Sequence, residues 1–259
     1  MNRVDYDNLV CCGCGVKVER PRYRLTLRES LKRVCPDCRR ASWLKNSRVV
    51  SDGNSSIIVT DDAKQVILGS ILGDGHLERP PKGSKNWGLG VKHSMKQESY
   101  LQYKVAILGD LVRKIDFPEG KIRFRCVCHP FLTEMAGLFV PGRKKVFRDR
   151  ALLNVGSLAL AIWYMDDGNL TKPYVRKNGY MDDGCIRFCT HSCSIEDRKA
   201  LKRMLRRVVG LKNIGDCVWK NPRNIDKPYH GIRLVGEDRR KFLEMVRPHI
   251  GGGMDYKLM

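Results

Sequence analysis

The sequence predicts an α+β fold in two pseudo-symmetric halves, residues 61–150 and 151–259, preceded by a small basic module at 1–50 and a linker at 51–60. Three observations predict it. The same order of elements occurs twice after Thr60. Each repeat opens with an almost wholly apolar helix that ends in Asp-Gly. Four of the 11 cysteines fall in two C-x2-C pairs near the start.

In the first half, Thr60, Asp61 and Asp62 are N-cap candidates for a helix over 61–74. A strand near 86–94 follows. A helix is expected over 95–115, with Leu101, Val105, Leu108, Val112 and Ile115 on one face. Residues 121–126 alternate as a strand does, Lys121, Arg123 and Arg125 on one side and Ile122, Phe124 and Cys126 on the other. A short helix near 130–139 ends at Pro141-Gly142. The second half offers a helix over 157–167 and a strand over 184–191. Ser194 then opens a helix, with Asp197 completing a capping box and Leu201, Leu205 and Val208 forming the apolar face. A strand at 231–234 and a helix at 238–247 close it. Each half thus reads helix, strands, helix, strand, helix.

Lys+Arg 49 against Asp+Glu 28 gives a net charge of +21, spread along the whole chain. Such an excess points to a polyanion bound on a folded surface. No run approaches the roughly 18 apolar residues of a membrane span, and no membrane partner is expected. The first ten residues hold no apolar signal core. The expected location is therefore an intracellular, reducing compartment, bacterial cytoplasm or an organelle, without secretion. There, cysteines favour metal over disulfides. Cys11, Cys14, Cys35 and Cys38 enclose 20 residues between the pairs, the spacing of one structural Zn²⁺ site. Residues 1–50 carry 12 Lys/Arg against 5 Asp/Glu and few apolar residues, so metal would drive their folding and their charge would extend a nucleic-acid contact. The later cysteines read as small buried apolar residues.

The chemistry concentrates in Ile67-Leu68-Gly69-Ser70-Ile71-Leu72-Gly73-Asp74-Gly75 and Leu160-Ala161-Ile162-Trp163-Tyr164-Met165-Asp166-Asp167-Gly168. The final glycine is expected to take a left-handed turn that stops the helix. The aspartate is not expected there, because it faces the negative end of the helix dipole at a cost of about 0.3–1 kcal/mol. Two such residues, in matching places, suggest a bound cation that reverses the local field. Gly69 and Gly73 form a small-xxx-small run that lets two helix backbones approach. Packed side by side, the helices would bring Asp74 and Asp167 together. Two carboxylates about 4 Å apart repel by roughly 4 kcal/mol at an effective dielectric near 20. Mg²⁺, which takes one or two carboxylates plus water and phosphate oxygens, relieves that repulsion and suits phosphodiester hydrolysis.

These two segments resemble the paired LAGLIDADG motifs of homing endonucleases, the second in the wording LAxWYMDDG. The resemblance covers most of 61–259. It implies αββαββα-type halves whose antiparallel sheets form a saddle over the DNA major groove. It further implies a monomeric, Mg²⁺-dependent enzyme that cuts both strands of a long asymmetric site, with two or more Mg²⁺ at the interface of the motifs. The motif acids fall on Asp74 and Asp167, with Gly73 and Asp166 flanking them in the candidate metal set. Asp166 has the apolar Leu72 as its counterpart, which counts against it as a ligand. Arg143-Lys144-Lys145-Val146, with Phe147 where proline is common, and Met254-Asp255-Tyr256-Lys257-Leu258 resemble the segments that carry a catalytic-site lysine. These map to Lys145, with Lys144 still open, and to Lys257. Arg123, Arg125, Arg187 and Arg233 would reach DNA bases from the sheets, beside Lys121. Lys92, Lys220, Lys82 and Lys85 would hold phosphates.

Two alternatives stay open on the same scaffold: a maturase binding its host intron RNA, and a DNA-binding regulator without catalysis. Loss of one aspartate or of both lysines would favour them, and neither is lost. Trp163 and Tyr164 read as core, His76 as a DNA contact or a turn end, and His129 as a weak metal candidate.

Overall fold

The computed structural model describes residues 53–82, 84–175, 179, 181–182, 184–219 and 228–259. The chain divides into two units, Met1–Asn54 and Ser55–Met259, and every helix and strand below lies in the second. The expected zinc module at 1–50, with Cys11, Cys14, Cys35 and Cys38, lies outside the described residues, as does Lys220.

Helix α1 (Asp61–Leu72) begins where the Thr60 hydroxyl accepts the Ala63 amide at 3.2 Å, with Asp61 and Asp62 against the positive end of the helix dipole. It leads into β1 (His76–Glu78), β2 (Gly88–Ser94), α2 (Glu98–Leu108), β3 (Val112–Asp116), β4 (Lys121–Cys126) and α3 (Pro130–Phe139). A single-turn helix, α4 (Asp149–Leu152), crosses to α5 (Ser157–Asp167). Then come β5 (Gly168–Leu170), the hairpin of β6 (Tyr174–Val175) and β7 (Met181–Asp182), β8 (Ile186–Cys189), α6 (Ile195–Val209), β9 (Gly215–Trp219), β10 (Tyr229–Leu234) and α7 (Gly236–Val246). The two main sheets are antiparallel and share one strand order, β1-β2-β4-β3 and β5-β8-β10-β9. The repeat is therefore one of topology, helix-strand-strand-helix-strand-strand-helix in each half, with the β6–β7 hairpin inserted in the second.

Two parts of the expected outline change. The helix predicted over 95–115 stops at Leu108, because Gly109 adopts φ 51°, a backbone state open to glycine. Val112 and Ile115 therefore enter strand β3 beside β4 and do not extend the helical face. The short edge strands β1, β5 and β9 are additions; three to five residues long, they carry too little alternation to be read from sequence.

The core lies between the helices and the inner faces of the sheets. Leu89, Val91, Ile122 and Phe124 point inward from the first sheet, and Ile186, Phe188, Ile232 and Leu234 from the second. Trp163 stacks on Phe188 with ring centroids 4.2 Å apart, and Tyr164 and Phe188 meet Phe242 edge-on, so both aromatic residues of the second motif are core, as expected. Helices α1 and α5 are buried along most of their length, and their contact is set by glycine. A Cβ on Gly69 would lie 2.5 Å from the Ala159 carbonyl oxygen, and one on Gly73 would lie 2.5 Å from the Asp166 Cβ. The small-xxx-small expectation thus holds at both positions. Gln65 locks the far end, donating to the Asn154 carbonyl at 2.8 Å and accepting the Gly156 amide at 2.7 Å. Among the described residues, no helix is long and apolar enough to cross a membrane.

Candidate active site

Helices α1 and α5 deliver their C-terminal ends to one place. The glycines that follow the aspartates do not take the left-handed turn expected of them: Gly168 is extended, with φ −81° and ψ 148°, and Gly75 is not among the positive-φ residues. They are needed for room. After each aspartate the chain folds back against the last turn of its helix. A Cβ on Gly75 would lie 2.6 Å from the Ser70 carbonyl oxygen, and one on Gly168 would collide with the Tyr164 ring and its carbonyl oxygen.

The two aspartates emerge into unlike surroundings. The side chain of Asp74 is 45% exposed, and its Oδ2 lies 3.4 Å from His93 Nδ1. Burial acts to raise its pKa, but the neighbouring His93 ring and the charges of Lys104 and Lys145 outweigh it and hold the carboxyl below its ordinary value. Asp167 is pushed up to about 7, first by burial and then by the neighbouring Asp74 and Asp166 charges, with Lys145 and Lys257 pulling the other way. The Asp74 charge thus reaches Asp167 across the helix pair. This repulsion, in a site of oxygen donors, is what a hard divalent cation relieves.

Lys145 and Lys257 sit at corresponding positions. The Lys145 ammonium donates to the carbonyls of Ile71 at 2.7 Å and Gly73 at 3.1 Å, capping the negative end of α1. Lys257 donates to the Gly168 carbonyl at 2.5 Å, just past the end of α5. Loss of water lowers the pKa of both ammonium groups, and the charges of Asp74, Asp166 and Asp167 act in the opposite sense. The segment bearing Lys145 is pinned from the second half: the expected capping box at Ser194 forms, and Asp197, with Oδ2 engaged there, accepts the Phe147 amide on Oδ1 at 2.6 Å. Gly73, a candidate ligand through its carbonyl, therefore has that oxygen bonded to Lys145.

Asp166 is occupied as well. Its buried carboxylate accepts the Tyr100 hydroxyl at 2.7 Å, Lys104 Nζ at 2.8 and 3.1 Å, and the Asp74 amide at 3.2 Å. Four hydrogen-bond contacts from three donor groups leave it little capacity for a metal, in line with its apolar counterpart Leu72. Asp74, His93 and Asp166 offer ligand atoms within 4.8 Å of one another. Sequence reasoning missed Tyr100, His93 and Lys104, yet the signals were present. Lys104 falls on the buried stripe of α2 between Leu101 and Leu108, and His93 takes the inward place after Leu89 and Val91 on β2.

The outer sheet faces are basic. Lys92 is exposed opposite Arg123, and half-buried Arg187 lies opposite exposed Arg233. Like charges directly across a ladder repel, an arrangement a polyanion stabilises. In the first sheet acids temper this. Asp116 accepts Arg123 at 2.8 and 2.9 Å and is lowered to about 2, chiefly by that bond. Glu78 stands 3.4 Å from Arg125 and 3.3 Å from His76. Lys82, Lys85 and Lys121 are exposed, as is Lys144. His129 caps α3, accepting the Phe131 amide, and its other ring nitrogen meets the Ile57 carbonyl at 3.2 Å, a structural role.

A family model described as the LAGLIDADG DNA endonuclease family matches residues 64–214. The chain is similar to a Protein RecA of Mycobacterium shimoidei, 29% identical over 209 residues that make up 78% of this chain and 47% of that protein. It spans about half the length of most of the curated relatives it matches. It is also similar to the DNA endonuclease I-ChuI of Chlamydomonas applanata, 26% identical over 223 residues, covering 77% of this chain and 95% of that one. Its fold matches that of the homing endonuclease I-WcaI bound to its DNA recognition sequence, with a TM-score of 0.61 at 19% identity, over 91% of this chain and 99% of the other.

Proposed function

The chain belongs to the LAGLIDADG DNA endonuclease family, and from that premise we propose that it is a site-specific endonuclease that hydrolyses both strands of double-stranded DNA at a long asymmetric site. One observation carries the reading: two aspartates on separate helices, the charge of one raising the pKa of the other, stand with a lysine beside each where a glycine-packed helix pair ends. Asp74 and Asp167 are the residues that would hold Mg²⁺, which when bound supplies an activated water and charge stabilisation at the leaving oxygen. Lys145 and Lys257 offset charge on the phosphate. The basic outer faces of the sheets, with Arg187, Arg233, Lys92 and Arg123, grip the duplex, the arginines reading base edges and the lysines phosphates. One chain supplies both aspartates, so cutting requires no second copy. The halves differ in sequence, which suits an asymmetric target.

The test is Mg²⁺-dependent cleavage of a randomised duplex library by wild type, Asp74→Asn and Asp167→Asn. Staggered cuts by wild type alone support the reading. A wild type that binds particular sequences yet never cuts them overturns it in favour of a regulator. For residues 1–50, the spacing of Cys11, Cys14, Cys35 and Cys38 supports one structural Zn²⁺; metal content should fall when Cys35 and Cys38 become serine, and unchanged content removes the assignment.

A further inference from the structure

The buried ionic cluster beneath Asp74 has no part in the cutting chemistry described above. Lys104 is wholly enclosed, with 0% side-chain exposure, and so is its partner Asp166. A lysine in that position persists only when its charge is matched and its donors are placed. Asp166 matches the charge, and Tyr100 holds Asp166 in turn, its hydroxyl lying near both Asp166 Oδ1 and the Ile162 carbonyl. The remaining direction of the ammonium leads to His93 Nε2 at 3.3 Å. Lysine offers donors and no acceptor. This contact selects the tautomer in which Nε2 accepts and Nδ1, which faces Asp74 Oδ2 at 3.4 Å, carries the ring proton, although Nε2 also stands 3.8 Å from Asp166 Oδ1. Asp74 is held a second time through its own amide, which donates to Asp166 at 3.2 Å.

Among the described residues, the other half has no such device. The counterpart of Asp166 is Leu72. It lines a cavity of ≈ 130 Å³ together with Trp163, Leu201, Cys193 and Asp167. Among the described residues, no side chain donates a hydrogen bond to the Asp167 carboxylate. One helix end is pre-set by a polar network and the other is left to its cation.

We propose that Lys104 is a positioning residue: fixed by Asp166 and Tyr100, it sets the tautomer and orientation of His93 and, through that ring, the orientation of the Asp74 carboxylate toward a divalent cation. The inference rests on the reading of Asp74 as a cation ligand. Groups behind a metal ligand act in this way, and their loss lowers metal affinity by about 10- to 100-fold. Nothing in it assigns Lys104 or His93 a contact with DNA.

The experiment is calorimetric titration of the full chain with Mn²⁺, without DNA, beside the Mg²⁺ dependence of cleavage. Lys104→Met alone leaves Asp166 uncompensated and risks misfolding. The working variants are therefore His93→Leu, which breaks only the relay, and Lys104→Met/Asp166→Leu, which is neutral and copies the Leu72 side. Both are expected to weaken Mn²⁺ binding about tenfold or more, to raise the Mg²⁺ concentration for half-maximal cutting by a similar factor, and to leave DNA affinity in chelator unchanged. Folded variants that bind Mn²⁺ as wild type does overturn the role of the network. Asp74→Asn is the control: if it too binds Mn²⁺ normally, the assignment of Asp74 as a ligand fails, and the network's role fails with it.

Discussion

At the foot of α1, Asp74 leaves its helix held on two sides, by His93 against its carboxylate and by Asp166 at its amide. At the foot of α5, Asp167 borders the cavity shared with Leu72 and Trp163, and its charge is opposed by burial and by the two neighbouring aspartates. The helices end in the same Asp-Gly pair and pack on each other through Gly69 and Gly73. The difference shows that a twofold backbone repeat need not give two equivalent halves of a site. The neighbours of one aspartate favour its charge, and burial and the neighbours of the other oppose it.

The largest expected effect tests what the two ends share. Asp74→Asn and Asp167→Asn should each reduce Mg²⁺-dependent cutting by more than about a hundredfold, beyond what changes behind a ligand cost. Strand-resolved cleavage assays read this, and a variant that cuts at the wild-type rate removes its residue from the ligand set.

Next comes stability in the absence of metal, where the two ends should part. The Asp167 carboxyl titrates near 3.8 when unfolded and at about 7 when folded. The folded form holds a proton that the unfolded chain has lost, so this group's contribution declines as pH rises through that window and stays lost above it. At about 1.4 kcal/mol per pKa unit, the penalty at pH 8 is a few kcal/mol at most. Asp167→Asn should therefore raise the metal-free Tm at pH 8 more than at pH 5. Asp74, with a lowered pKa, contributes in the opposite sense, and Asp74→Asn should not stabilise at either pH. Identical pH profiles for the two variants would erase the contrast. Mg²⁺ should stabilise wild type more at pH 8 than at pH 5.

A comparable effect is expected at the shared seam. Gly69→Ala puts a methyl group against the Ala159 backbone, and overpacking of that kind costs about 1–3 kcal/mol. Chemical denaturation measures it, and no loss of stability would mean that the helices are not in backbone contact there.

Much of this was legible in the sequence because its signals are strong and local. The apolar runs, the paired Asp-Gly ends and the glycine spacing fixed the helix pair, and the alternation in 121–126 fixed which face carries arginine. The edge strands escaped because three residues of β1 or β5 cannot display a period. The sequence pattern overextends helix α2 because Val112 and Ile115 fit a helical stripe as well as a strand, and Gly109 decides between them. Lys104 and His93 escaped because their value lies in contacts with Asp166 and Asp74, which are remote in sequence and meet only when the helix pair forms.

The smallest expected effects compare the two sheets. Arg187→Ala and Lys92→Ala should each lower the slope of log affinity for DNA against log salt by about 1 if each neutralises one phosphate. The acids Asp116 and Glu78 already pair with arginines of the first sheet, so Arg123→Ala should change the slope less than Arg187→Ala. The reverse order would show that the first sheet carries the stronger contact.

The claim that the two helix ends form one cation site is tested most directly by anomalous scattering from a crystal soaked in Mn²⁺. The account predicts a peak within coordination distance of a carboxylate oxygen of both Asp74 and Asp167. Ordered side chains with no peak between them, or Mn²⁺ bound only elsewhere, would contradict it.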